Sequence, residues 1–240
     1  MSEFLEACRP ILFESTDSEY AYWGRGLALL VSDSQHCYCV TAEHVLRNQG
    51  ATVEELRVFP SDFSKMSLPY DQKVSINQDL GNPAAYKDIV MLRVAMSDFH
   101  ASGDAQLVAQ DIKRGCQPAT SLRLGNELWI AGFPSNSRFV DYEASRINAT
   151  RILRKASYVG PSSLSEHVHE LEVDERSGLD DFDGLSGGPV YYLREEHVNH
   201  VPHLIVLLAG LVIRGTASSR RAHFIDSSVL KEFVRLAQAA

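Results

Sequence analysis

The sequence predicts an all-β chain that ends in one α-helix. Three observations point there: many short runs rich in β-branched and aromatic residues, turn signals recurring between them, and helical periodicity confined to the C-terminus. Leu27 to Ser32 and Cys37 to Thr41 read as two strands around the polar turn Asp33-Ser34-Gln35. Glu55 to Phe59, Ile89 to Val94, Leu128 to Gly132, Ile147 to Leu153, His169 to Val173, Val190 to Leu193 and Leu204 to Ile213 continue the series. Leu68-Pro69, Gly81-Asn82-Pro83, Phe133-Pro134-Ser135 and Gly160-Pro161 punctuate it. Before Arg9-Pro10 there is room for one helical turn. Near the end, Asp226 or Ser227 can cap a helix whose apolar stripe is Val229, Leu230, Phe233, Val234 and Leu236. So many strands with a single helix suggest a sandwich or barrel rather than βαβ units. The stretch Lys113 to Asn126 is the best internal boundary, dividing the chain into units 1–115 and 116–240 of similar size.

Composition bounds the function. The chain has 240 residues, 45% hydrophobic and 22% charged, which are globular values. Its formal charge of −8, with no basic block, gives no electrostatic reason for a nucleic-acid or anionic-membrane partner. The apolar run Leu204 to Ile213 is too short to span a bilayer and suits a buried strand. The opening MSEFLEACRP carries acidic residues where a secretory signal needs a basic start, so a cytoplasmic protein is expected. Cys8, Cys37, Cys39 and Cys116 form neither a C-x-x-C motif nor a zinc site, so reduced and mostly buried thiols are expected. His167, His169, His197, His200 and His203 lack a carboxylate or cysteine at ligand spacing. They read as surface histidines, the last three flanking a loop from Glu195 to Pro202. No metal and no cofactor is expected.

The segment most informative about chemistry is Asp183-Gly-Leu-Ser-Gly-Gly-Pro-Val190. Glycines let the backbone turn sharply around Ser186, so that a hydroxyl is exposed while nearby N–H groups converge. An α/β-hydrolase elbow would lead into a helix, with the acid and histidine still to come. Here a strand follows, and too little chain remains for the rest of that sheet. A serine nucleophile needs a base, and the base needs an orienting carboxylate. His44, at the end of an apolar strand, and Asp88, at the mouth of another, are the candidates. Taken singly, each reads as well as a hydrogen-bonded core histidine or a turn cap.

Taken together, in the order His44, Asp88, Ser186, they resemble the chymotrypsin/trypsin-like serine peptidase superfamily in its bacterial-type intracellular form. Thr41-Ala-Glu-His-Val45 is similar to its T-A-x-H block. Asp88-Ile-Val-Met-Leu92 is similar to D-I-A-L-L, and Gly184-Leu-Ser-Gly-Gly-Pro-Val190 to G-x-S-G-G-P. Trp129 to Pro134, Ala209 to Gly215 and the ending from Phe224 agree more weakly. The resemblance covers roughly residues 10–237. It implies two six-stranded antiparallel β-barrels with a C-terminal α-helix, His44 and Asp88 on the first barrel and Ser186 on the second. It also implies roles: Ser186 as nucleophile, His44 as base then acid, Asp88 as orienter, and the N–H groups of Gly184 and Ser186 as oxyanion hole. Asp180 would lie at the base of the specificity pocket, in the acidic run that includes Asp183. Arg214 and Gly215 would line the cleft wall, where Arg214 could neutralise Asp180.

The departures matter too. Leu185 stands where trypsin-like zymogens carry the aspartate that pairs with a new N-terminus, so activity without zymogen cleavage is expected. No cysteine pair flanks His44, and Glu43 replaces a small residue with a side chain expected to face solvent. The sequence thus predicts an intracellular serine endopeptidase. Its partners would be a protein or peptide substrate and a candidate regulatory protein. The alternative is a catalytically retired or partner-regulated module that binds peptides or proteins.

Overall fold

The computed structural model of the chain describes residues 3–15, 21–24, 26–47, 50–74, 88–101, 107–134, 138–143, 146–174, 182, 184–216 and 219–239. The N-terminal half runs α1 (Glu3–Glu6), β1 (Cys8–Pro10), β2 (Leu12–Glu14), β3 (Tyr22–Trp23), β4 (Leu27–Ser32), β5 (Cys37–Ala42), α2 (Glu43–Arg47), β6 (Leu56–Arg57), β7 (Tyr70–Val74), β8 (Ile89–Val94), α3 (Met96–Ala101) and β9 (Gln110–Asp111). The C-terminal half runs β10 (Glu127–Gly132), β11 (Arg138–Asp141), β12 (Arg146–Ala149), β13 (Ile152–Pro161), β14 (Val168–Val173), β15 (Pro189–Val198), β16 (Val201–Thr216), β17 (Arg221–Asp226) and α4 (Ser227–Ala239). The chain is therefore mostly β with a C-terminal helix. Among the described residues no helix is long and apolar enough to cross a membrane.

The two halves are built differently. In the C-terminal half, pairing runs β10-β13-β14-β17-β16-β15 and returns to β10, closing a ring of six antiparallel strands. In the N-terminal half, one sheet runs β1-β4-β5-β8-β7 with β9 parallel to β4, and β3-β2-β6 form a second. These two sheets do not join into a ring among the described residues, so the expected pair of closed six-stranded barrels is seen in one half only. The strands of the smaller sheet are two or three residues long.

Several sequence expectations need correction. The segment read as Glu55 to Phe59 pairs only over Leu56–Arg57. The strand read as Ile147 to Leu153 is broken between β12 and β13, where the Arg151 guanidinium lies 5.1 Å from the Phe133 ring centroid. The stretch Glu195 to Pro202, read as a loop, is paired almost to its tip. Glu195 faces Leu204 and Val198 faces Val201 around Asn199-His200. Both turn residues have positive φ (52° and 65°), the geometry of a tight hairpin turn. His169 is buried rather than on the surface: its Nδ1 lies 2.7 Å from the Tyr158 hydroxyl. Helices α2 and α3 are too short to show periodicity in sequence.

Packing ties the halves together. One buried cluster combines Leu29, Tyr38, Val40 and Met91 with Leu211, Ile213, Ile225 and the stripe Val229, Leu230, Phe233 and Val234 of α4. The helix that follows the last strand of the closed ring thus covers the other half. At its end the Gln238 amide donates to Asp33 Oδ2, while Asp33 Oδ1 accepts from the Gln35 and His36 N–H groups at 2.9 and 2.7 Å. Burial alone would raise the Asp33 pKa, but these donors outweigh it and hold the carboxyl below its ordinary value. Reciprocally, Cys8 and Leu27 belong to the core of the closed ring. The Phe4 ring meets Tyr191 edge-on at 4.9 Å, and the Tyr191 hydroxyl donates to the Phe4 carbonyl. All four cysteines are free. Burial pushes the Cys37 and Cys39 thiols up to about 12 and Cys116 to about 11, which makes them inert.

Candidate functional site

Strand β5 is apolar and wholly buried, and it delivers the chain to α2 at the seam between the halves. His44 is the second residue of that helix. Its Nδ1 lies 2.9 Å from Asp88 Oδ1 and 3.0 Å from Oδ2. A carboxylate only accepts, so the proton between them sits on Nδ1, and in the neutral imidazole Nε2 is then the acceptor. Asp88 is itself pinned. Its Oδ1 accepts the His44 N–H at 3.0 Å, and its carbonyl accepts the Glu43 N–H at 3.1 Å. The two side chains are 17% and 26% exposed, so the pair is partly open to solvent. Glu43 is half-buried rather than turned fully to solvent, with its carboxylate 3.8 Å from Arg47 one helical turn on.

Ser186 sits in the glycine-rich turn that leads into β15. The turn is docked onto the N-terminal half: the Leu27 N–H donates to the Ser186 carbonyl at 2.8 Å, and Thr41 Oγ1 donates to the Leu27 carbonyl at 2.7 Å. Gly187 fits only because it lacks a Cβ. That atom would lie 1.9 Å from Leu27 O and 2.7 Å from Thr41 Oγ1, at a φ of +85°. Thr41 is three residues before His44, so the serine turn and the histidine helix are held against one stretch of β5.

Within the turn most donors are taken. Leu185 N–H goes to Phe182 O at 3.0 Å, Gly187 N–H to Val212 O at 2.8 Å and Gly188 N–H to Leu185 O at 2.9 Å. The N–H groups of Gly184 and Ser186 have no acceptor among the described residues. Gly184 has a φ of +83°, which a glycine adopts freely. The Ser186 hydroxyl donates to the Ile213 carbonyl at 3.3 Å and makes no hydrogen bond with His44.

Leu185 is fully buried, in the core of the closed ring beside Leu27 and Gly132. An aspartate there would be a desolvated charge. Of the cleft-wall candidates, Arg214 is exposed, and Gly215 lies against Phe182, where a Cβ would come within 2.4 Å of the ring. Asp180 and Asp183 lie outside the described residues.

Three contributors were not anticipated from sequence: Leu27, Thr41 and Ile213. Thr41 stood inside the quoted T-A-E-H block without an assigned role. The Leu27 and Ile213 contacts are made by main-chain atoms, which carry no signal in side-chain identity. Among the described residues no group of three or more His, Cys, Asp or Glu is arranged to hold a metal ion. In comparison with known proteins, the chain matches no family model and no curated protein.

Proposed function

We propose that this chain is a serine endopeptidase of the chymotrypsin/trypsin-like kind, with the two sheets of its N-terminal half serving as a partly open first barrel. The observation that carries the reading is the seam. A carboxylate-held histidine and a glycine-cradled serine come from opposite halves and are braced on the same strand end, with two N–H groups beside the serine that have no acceptor among the described residues.

The steps follow from these atoms. Ser186 Oγ turns from the Ile213 carbonyl toward His44 Nε2 and gives up its proton as it attacks the scissile carbonyl. The negative oxygen is received by the N–H groups of Gly184 and Ser186; one such donor is typically worth about 10²–10³ in turnover. His44, now imidazolium, is stabilised by Asp88 and hands the proton to the leaving amine. Water then enters, gives its proton to His44 and attacks the acyl-serine. The second collapse releases the acid and returns the proton to Ser186.

Leu185 fills its site with apolar packing and needs no new N-terminus as partner, which supports a chain competent without cleavage. Free, unreactive thiols fit a reducing compartment such as the cytoplasm. A fluorophosphonate probe tests the reading. The full-length chain should label, and Ser186→Ala should not. Absence of labelling in folded wild-type protein, or labelling that survives Ser186→Ala, overturns it. One observation favours a second reading. The serine hydroxyl rests on a carbonyl rather than on its base, as in a module that binds peptides without cutting them or that cuts only with a partner present. Labelling that appears only when a partner is added would select the regulated form.

A further inference from the structure

The strand after the serine turn carries Arg214, a cation with no counter-charge among the described residues, Asp180 lying outside them. Pairing of β16 with β17 slips between Val212 and Arg214: Val212 faces Phe224 and Arg214 faces His223, so Ile213 is an extra, bulged residue. A bulge re-aims side chains and interrupts pairing. Here it sends Val212 into the core of the closed ring and Ile213 into the other core. It also turns the Ile213 carbonyl to Ser186 Oγ and leaves the Arg214 side chain in solvent.

The charges around Arg214 are already committed elsewhere. His223, directly across the strand, has Nε2 3.3 Å from Glu170, and Arg221 reaches the same carboxylate at 3.2 Å. Glu172, the next acid along β14, has Arg220 at 3.5 Å. Arg214 makes no hydrogen bond or ion pair among the described residues.

β15 pairs with β16 as far as Leu211 and the serine turn takes both main-chain groups of Val212, so among the described residues the edge of β16 beyond Val212 is open beside that turn. A peptide whose scissile carbonyl lies over Ser186 places that residue beside Ile213. Its upstream neighbour then falls opposite Arg214, and opposed residues on paired strands share a face. We infer that the cleft selects peptides with an acidic side chain immediately upstream of the residue that donates the scissile carbonyl, and that Arg214 is the specificity residue. This rests on the peptidase reading of the same site.

The test uses two quenched peptides that differ only by Glu or Gln at that position. Wild type should cleave the Glu peptide about 1.5- to 5-fold faster in kcat/KM, the range for a solvent-exposed ion pair, and the advantage should shrink toward unity as salt is raised. Arg214→Glu, checked for folding by circular dichroism, should reverse the preference. Equal cleavage of both peptides by a wild type that labels with the probe overturns the role of Arg214 and leaves the peptidase reading standing. Failure to label overturns the peptidase reading instead. In that case fluorescence anisotropy of the two peptides on wild type and on Arg214→Glu decides the question: tighter binding of the Glu peptide by wild type alone supports selection by Arg214, and equal binding overturns it.

Discussion

Two of the histidine–aspartate pairs among the described residues, one at the seam and one in the closed ring, are arranged in opposite ways. At the seam, Asp88 gives its oxygens to the His44 ring at 2.9 and 3.0 Å, and both side chains remain partly exposed. In the closed ring, Asp226 lies 3.7 Å from His169 Nε2, beyond hydrogen-bond reach, with the two side chains 1% and 3% exposed. The Asp226 oxygens serve the main chain instead. Oδ2 accepts the Ala119 N–H and Oδ1 the Ser228 N–H, both at 2.6 Å, joining the boundary segment Lys113 to Asn126 to the start of α4. His169 Nδ1 meets the Tyr158 hydroxyl, and its ring lies against Phe224. The same residue types make an oriented imidazole open to solvent in one place and a structural brace in the other. What separates them is where the carboxylate's lone pairs are used and whether solvent and substrate can reach the ring.

Three substitutions probe that contrast, in decreasing order of effect. On the proposed reading, Asp88→Asn should slow probe labelling by about 10⁴-fold, the magnitude for the orienting aspartate of a Ser-His-Asp triad, because an amide can no longer fix the proton on Nδ1. Its unfolding midpoint should change little. A variant that labels at the wild-type rate would reduce the seam pair to structure.

Asp226→Ala should do the reverse. It strips acceptors from a buried N–H and from a helix start, at a cost of about 2–4 kcal/mol in urea unfolding. The fraction still folded should label normally. A loss of labelling larger than the loss of folded protein would give the buried pair a part in the chemistry.

The smallest effect concerns pH. Burial, partly offset by Asp226 and reinforced by His167, holds the His169 pKa below the usual 6.5. The unfolded chain therefore takes up that proton more readily than the folded one. The contribution is fully present above about pH 6.5 and is lost as pH falls through that value toward the lower, folded-state pKa. His169→Gln should accordingly flatten the decline of the urea midpoint between pH 7 and 5. An unchanged slope would place the pH sensitivity elsewhere.

Much of the β organisation was legible in the chain because it rests on local pattern. The β4–β5 hairpin follows from two apolar runs and an Asp-initiated turn. Helix α4 follows from its stripe, and the serine turn from its three glycines, of which Gly187 has no room for a Cβ. Elements missed were too short to show a period, such as α2 and β3, or polar at their tips, such as the end of β15. His169 was misread because nothing in its neighbours reveals that Tyr158, Phe224 and Asp226 close over it.

By itself, then, the sequence determined the strand-rich class, the terminal helix, and the three residue types a hydrolytic site would need, since each depends on periodicity, turn chemistry or motif. Only the tertiary structure decided which half closes into a ring and which histidine meets its aspartate through the ring nitrogen. It alone set the Ser186 hydroxyl against the Ile213 carbonyl. Those outcomes depend on main-chain hydrogen bonds and on packing between residues far apart in the chain, and neither leaves a mark in the local order of side chains.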